Sequence, residues 1–519
     1  MAFSEPLECR RLMAAVTGFT LVNADTDRDL FPLTDGARID LAALPTRRLN
    51  VRANVSGRVR SVRFGLDGDA AYHTDNTPRY ALGGNFARNY YPWTPQSGVH
   101  AMAATPYSAL RARGAAGTGL AVRFTVVDPP QDVAYSGPLV ITRGGVYSGN
   151  WESTDPEVAA VTIRTDEPVV IENAHVRGRG DLIETDVDHT HVAVRDTRGY
   201  ALNPGVDGQS PGRFFDAAGF DSAELVNNYM EGTGGIKLIE YAGDGTAAES
   251  VRVVGNSALN IDGRMSDGNG GFLDFNKRKR LSDGVEEEGF EVRQFVQLRK
   301  VPNVPGVEIA WNQVVNEVGR SRVEDNINIY KSSGTPDSPI RIHDNYVQGA
   351  YTIKPWQGSY NDGTWEYNWR YSGGGILVGD GSSGTAYVHA YDNQVVSTSN
   401  YGVGIAAGHD MAFYRNRVVS SGLLPDGRSA WAQNVGVYIW DLYDTGPAGF
   451  YNNSARDNLV GWVNAFGDGR NDWWVPDAAS FENNSPWPGT ITPAVEMAEW
   501  AVWQRKLAAT GRTVGPSRP

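Results

Sequence analysis

Between residues 18 and 127, apolar and polar positions alternate in short runs broken by turn residues. The runs are ARIDLAAL, RRLNVRANVSG, VRSVRFGLDG, GVHAMAATPYSA and TGLAVRFTVVD. A period of two predicts strands with one buried face, and the spacing of the runs predicts a small β-sandwich over 18–128. DPPQD, at 128–132, reads as a linker. From 132 to 485 the pattern changes. A short apolar strand is followed by an asparagine again and again, in VIENAHV (Asn173), LVNNYM (Asn228), RVVGNSAL (Asn256), EIAWNQVV (Asn312), RIHDNYV (Asn345), AYDNQVV (Asn393), FYRNRVV (Asn416) and FYNNSA (Asn453). Asp196 in VAVRDTRG fills the same slot. A period on the order of 20–30 residues built from short strands predicts a parallel β-solenoid. Each asparagine is then one rung of an internal hydrogen-bonded ladder. The last segment, 486–519, reads as a cap with a helix over TPAVEMAEWAVWQRKLAATG, and that helix is expected to cover the last coil.

Upstream of the ladder asparagines lie strands with an inward apolar pair: Ile236/Leu238, Val296/Leu298, Ile327/Ile329, Ile376/Val378, Val403/Ile405 and Val437/Ile439. Stacking these pairs puts Glu240, Lys300, Lys331, Asp380, Ala407 and Asp441 in one column, with His409 and Asp410 just past Ala407. Charges stacked about 4.8 Å apart interact strongly, so a column this charged predicts a groove. Asp380 and Asp441 stand two coils apart, about 9.6 Å. That suits inverting glycoside hydrolysis, which separates its carboxyls by about 6.5–9.5 Å. Asp380, Asp410, Asp441 and His409 are therefore the candidate catalytic residues. Glu240, Lys300, Asn328, Tyr330 and Lys331 are the candidate groove floor. The rival chemistry is proton abstraction by Lys300 or Lys331.

The insertion at 351–375 carries Trp356, Trp365 and Trp369, whose flat rings suit the faces of sugars. Trp440, Trp473 and Trp474 extend that expected platform, and the excursion at 267–289 is expected to wall the groove from the other side. The net charge of −13 argues against nucleic acid or an anionic membrane as partner. No apolar run reaches the about 18–20 residues of a membrane helix. Cys9 is the only cysteine, so no disulfide or thiolate metal site forms within the chain. DTDRD (Asp25, Asp27, Asp29) lacks the glycine and glutamate of a calcium loop. ETDVDHTH puts Glu184, Asp186 and Asp188 on one strand face and His189 and His191 on the other, a solvated strand. No metal is expected. Phosphate-loop, nucleophile-elbow and H-E-x-x-H motifs are absent.

The coil pattern and asparagine ladder over roughly 135–485 resemble the right-handed parallel β-helix proteins of the pectate-lyase-like superfamily. The 18–128 strands resemble an immunoglobulin or fibronectin-type module. The start, SEPLECRRLMAAV, resembles an LEPRRLL-type leader of exported bacterial surface proteins, with Cys9 where that pattern has proline. These resemblances imply an extracellular or cell-surface, monomeric protein acting on a polysaccharide. The aspartates and the GHD triplet are similar to those of polygalacturonase-like hydrolases, whose Asn-Thr-Asp and Arg-Ile-Lys motifs have no match here. Hydrolysis without a cofactor is the leading expectation. A polysaccharide lyase, with calcium as a cofactor the resemblance allows, comes second. A non-catalytic glycan-binding or adhesive protein is the third.

Overall fold

The computed structural model describes residues 14–516, apart from 42, 87–88, 96–97, 128–132, 370–372, 382, 425–426, 432 and 465–468. The leader with Cys9, the DPPQD linker and Tyr371 lie outside the described residues. Two units emerge, one of 1–132 with 497–510, the other of 133–496 with 511–519.

In the first unit, strands Arg28–Leu33, Ala15–Asn23 and Leu49–Ser56 form one sheet. Ala37–Asp40, Leu120–Val127, Gly98–Ala109, Ser61–Leu66 and Asp69–Asp75 form the other. The alternating apolar positions of both sheets share one core, with Phe19, Leu21, Val51, Phe64 and Phe124 in it. The helix Pro493–Thr510 forms where the sequence predicts it. From residue 497 it belongs to this unit, where the Trp500 indole donates to Asp67 Oδ1 at 3.4 Å. Ahead of the helix, Trp487 and Ile491 lie against Gly461.

The second unit is a right-handed parallel β-helix. Its three sheets hold 11, 12 and 11 strands among the described residues, and each coil contributes one strand to each sheet in turn. The inward pairs stack in the register the sequence predicts. Ile236, Val296, Ile327, Ile376, Val403 and Val437 align, and so do their partners two residues on. These side chains fill one continuous apolar core.

The asparagine ladder runs through Asn228, Asn256, Asn312, Asn345, Asn393, Asn416, Asn458 and Asn484. Every rung follows a residue with positive φ at the end of a second-sheet strand, such as Asp344 (φ 53°) before Asn345. Three expected rungs are corrected. Asn173 and Asp196 occupy that left-handed position themselves, one residue before the slot. Asn453 binds Met411 N and Gly408 O instead, because the strand there breaks into Phe450–Tyr451 and Ser454–Arg456, and Asn458 takes the rung.

Candidate active site on the first sheet

Outward positions of the first sheet converge on Asp380. In the strand Ile327–Tyr330, Asn328 and Tyr330 point away from the core between Ile327 and Ile329. The strand Gly374–Asp380 pairs with it but carries a bulge. Gly379 adopts φ +76°, and a Cβ there would lie 1.8 Å from the Ala407 carbonyl oxygen, so only glycine fits. The extra residue moves Asp380 level with Tyr330, not with Lys331 as the sequence alignment has it.

The Asn328 amide nitrogen donates to Asp325 Oδ2 at 2.8 Å and to Asp380 Oδ2 at 3.0 Å. The Tyr443 hydroxyl donates to Asp380 Oδ1 at 2.7 Å. Asp380 is thus held at both oxygens. Asn328, 1% exposed, keeps an Oδ1 without a protein partner. Beneath it, Asp325 is 3% exposed and accepts from Gly374 N at 3.0 Å and from the Tyr401 hydroxyl. Burial first, then the Glu324 charge, pushes the Asp325 carboxyl up to about 7, against the hydrogen bonds from Tyr401 and Asn328. Tyr438 lies over Gly404 and packs edge-on to Tyr401 with ring centroids 5.1 Å apart. Burial raises its hydroxyl, and Asp325 and Asp380 add to the effect. Tyr443 is pushed up to about 12, by burial first and then by its bond to Asp380.

Glu240, Lys300 and Lys331 do form a column. Each begins a turn in the left-handed region, at φ 58°, 57° and 47°. Lys300 Nζ is paired with Glu240 Oε1 at 2.7 Å, which lowers the Glu240 carboxyl. Lys331 Nζ lies 5.5 Å from the Tyr330 ring centroid and Arg299 lies 5.2 Å from it. Neither cation makes an ion pair with a described residue.

Other predicted residues are not brought to Asp380. His409 and Asp410 sit on the strand Gly408–Tyr414 of the second sheet, with His409 Nδ1 2.7 Å from Asp410 Oδ2. Asn452 donates to Asp410 Oδ1 at 3.0 Å. The Asp441 carboxylate accepts from Thr445 Oγ1 at 2.9 Å and from Gly446 N at 2.7 Å, so it is committed to its own turn. Burial pushes that carboxyl up, and the turn hydrogen bonds outweigh it and leave it below the ordinary range. Of the four expected residues, Asp380 is the one that hydrogen-bonds to Asn328 and Tyr443 among the described residues.

The two insertions join each other. Lys277–Arg280, Glu286–Glu288, Trp365–Asn368 and Tyr360–Asn361 form a four-stranded antiparallel sheet. Trp369, 3% exposed, packs with Phe275, Phe290 and Ile353 in the core of that sheet, which removes it from the expected sugar platform. Arg278 stacks on Trp365 at 4.1 Å, and Arg428 covers Trp356 at 3.8 Å. The open rings of the first sheet are Trp440, 42% exposed, Tyr443 and Trp474, the last beside Tyr438.

Sequence reasoning missed Asp325 and Tyr443. Asp325 stands three residues before Asn328, outside the strand's alternation, where a hydrophobic pattern carries no information. Tyr443 is two residues past Asp441, in a turn whose path no periodicity sets.

No family model matches the chain, and no curated protein matches it. Among solved structures it is similar to a family 28 exopolygalacturonase from Yersinia enterocolitica, at 9% identity over 84% of this chain and 96% of that chain, with a TM-score of 0.23. At that score the likeness carries no weight for the chemistry of Asp380.

Proposed function

We propose that the protein is a glycan-cleaving enzyme that holds an acidic polysaccharide along the outer face of the first sheet and breaks its linkages beside Asp380. One observation carries this reading. Arg299 and Lys331 flank the Tyr330 ring at 5.2 and 5.5 Å without ion-pair partners among the described residues, in a chain of net charge −13. A carboxylated sugar is a ligand that satisfies both cations. Trp440, Tyr443 and Trp474 offer exposed rings for neighbouring units.

β-Elimination from a uronic-acid unit fits these groups best. Arg299 neutralises the uronate carboxylate and so acidifies the adjacent C–H. Lys331, after losing its own proton to water, takes that proton as the neutral amine, the electron pair forms the ring double bond, and the glycosidic C–O bond breaks. Tyr443, held protonated with its hydroxyl raised to about 12, turns its O–H from Asp380 to the leaving oxygen and gives up its proton there. Asp380 fixes the phenol in place. Hydrolysis is the second reading, favoured by the Asp325–Asp380 pair. The bridged oxygens are no further apart than the sum of Asn328's two hydrogen bonds. That is near the about 5–5.5 Å of retaining enzymes and short of the about 6.5–9.5 Å of inverting ones. Its weakness is burial, since Asp325 must be uncovered to reach a substrate.

Digestion of a panel of acidic and neutral polysaccharides tests both. Elimination yields an unsaturated uronate that absorbs in the near ultraviolet, whereas hydrolysis yields only new reducing ends. Lys331→Ala and Asp380→Asn are each expected to lower the rate by about 10²-fold or more. Chelator in the same assay tests the calcium requirement that elimination allows. Wild-type rates in both variants, or gel retardation by a glycan without any release, would sink the proposal.

A further inference from the structure

On the outer face of the second sheet, two imidazoles face one buried carboxylate. Asp221, at the start of the strand Phe220–Val226, is 8% exposed. His189 and His191 come from the start of the neighbouring strand Thr190–Arg195 and the residue before it. His189 Nδ1 lies 3.0 Å from Asp221 Oδ1. His191 Nε2 lies 3.6 Å from Asp221 Oδ2. Ligand atoms of His191, Asp221 and Glu249 all fall within 4.8 Å of one another. The sequence pattern carries no sign of this grouping, because Asp221 and Glu249 are far away along the chain.

The separation of 3.6 Å between His191 and Asp221 is too long for a hydrogen bond. It is close to the edge of a tetrahedron with bonds of about 2.0–2.2 Å, the geometry of N and O ligands around zinc. A second observation points the same way. The other ring nitrogen of His191, Nδ1, is hydrogen-bonded to Ser222 Oγ at 3.2 Å. Ligating histidines are commonly oriented through their second nitrogen in this manner, which leaves Nε2 as the free donor. Glu249 is also half prepared, with Oε2 accepting from Asp244 N at 2.6 Å and Oε1 left over.

We propose that His191, Asp221 and Glu249, with His189 beside them, form a binding site for a zinc-class divalent cation. An imidazole nitrogen with two carboxylates suits such a metal, whereas calcium takes all-oxygen shells. Glu249 lies in the loop between the strands Ile236–Ile239 and Val251–Val254. The ion pins this loop to the wall of the coil, with a structural role separate from the Asp380 centre on the first sheet.

The test uses the full chain, stripped with chelator and titrated with zinc chloride, then with calcium chloride. Binding is read by calorimetry and by metal content after gel filtration. One zinc per chain is expected, with a raised melting temperature and no response to calcium. His191→Gln and Glu249→Gln, both on half-buried side chains, are expected to weaken zinc binding by more than about tenfold. Ser222→Ala is expected to weaken it by about 10–100-fold through the loss of imidazole orientation. Absence of saturable zinc binding overturns the site. So does binding that all three variants leave unchanged, which would place the zinc elsewhere.

Discussion

Asn345→Ala isolates what the ladder contributes. The Asn345 side chain accepts from Asn312 N at 3.0 Å and from Asn312 Nδ2 at 2.9 Å. It donates to Ile309 O at 2.9 Å and to Asn393 Oδ1 at 2.9 Å. All of these groups are buried. After truncation Asn393 Oδ1 still receives Asn345 N–H, and Asn312 Nδ2 still reaches Val253 O. Two buried donor hydrogens on Asn312 are left with no acceptor. At about 1–3 kcal/mol for each unsatisfied group, the expected loss is on the order of 4 kcal/mol. Asn484→Ala is the internal control. It is the half-buried last rung among the described residues and accepts from Asn458, so truncating it opens that slot to water from its exposed side. That variant is expected to cost roughly 1 kcal/mol. Guanidinium unfolding followed by circular dichroism measures both. Equal losses in the two variants, or a loss under about 1 kcal/mol for Asn345→Ala, would refute the view that the ladder stabilises through burial of paired donors.

Three further outcomes follow from the same geometry. Burial keeps the Asp325 carboxyl protonated up to about 7, well above the ordinary carboxylate range, so stability is greatest below about pH 4 for this group and falls as pH rises to about 7. The slope amounts to on the order of 4 kcal/mol; Asp325→Asn should remove it in denaturation curves taken at pH 4 to 8, and an unchanged slope would assign it to other groups. Gly379→Ala cannot keep φ +76°, so Asp380 should leave its place beside Tyr330 and glycan cleavage should fall more than about tenfold while the circular dichroism spectrum is kept. Trp369→Ala should cost the loop core about 3–5 kcal/mol, read as faster proteolysis within 277–288 with the unfolding of the coils unchanged.

The coil register was legible because two constraints fall on the same residues. Alternation turns Ile327 and Ile329 inward, and stacking of like on like aligns them with Ile376 and Val378. An error of one residue would expose the whole set. The ladder was legible less exactly at its ends. Asn and Asp tolerate the left-handed backbone as well as the buried slot that follows it, so Asn173 and Asp196 read as rungs when Ala174 and Thr197 stand there. Beyond the last inward residue of a strand neither constraint acts. The alignment of Lys331 with Asp380 belongs to that zone, and so do the turns that hold Asp441 and Tyr443. The tryptophans of 351–375 were misread for another reason. Rings that coat a sugar and rings that fill a loop core have the same composition, and only the partner strand Lys277–Arg280 decides between them.

The bulge at Gly379 sets the neighbours of both Asp380 and Lys331. Without it Asp380 would stand level with Lys331, and an ammonium and a carboxylate in adjacent coils would neutralise each other, as Lys300 and Glu240 do at 2.7 Å. With it Asp380 is tied to Asn328 and Tyr443, and Lys331 faces Gly381 and Gly384. A Cβ at Gly381 would lie 3.0 Å from Lys331 Cε, and one at Gly384 would lie 3.6 Å from Lys331 Cβ. Two residues without side chains thus border Lys331, which makes no ion pair with a described residue. A fold selected for stability alone gains from pairing that charge, or loses little by replacing it. A lysine kept unpaired, beside a carboxylate held at both oxygens by other groups, is the arrangement expected where the counterion arrives with a substrate.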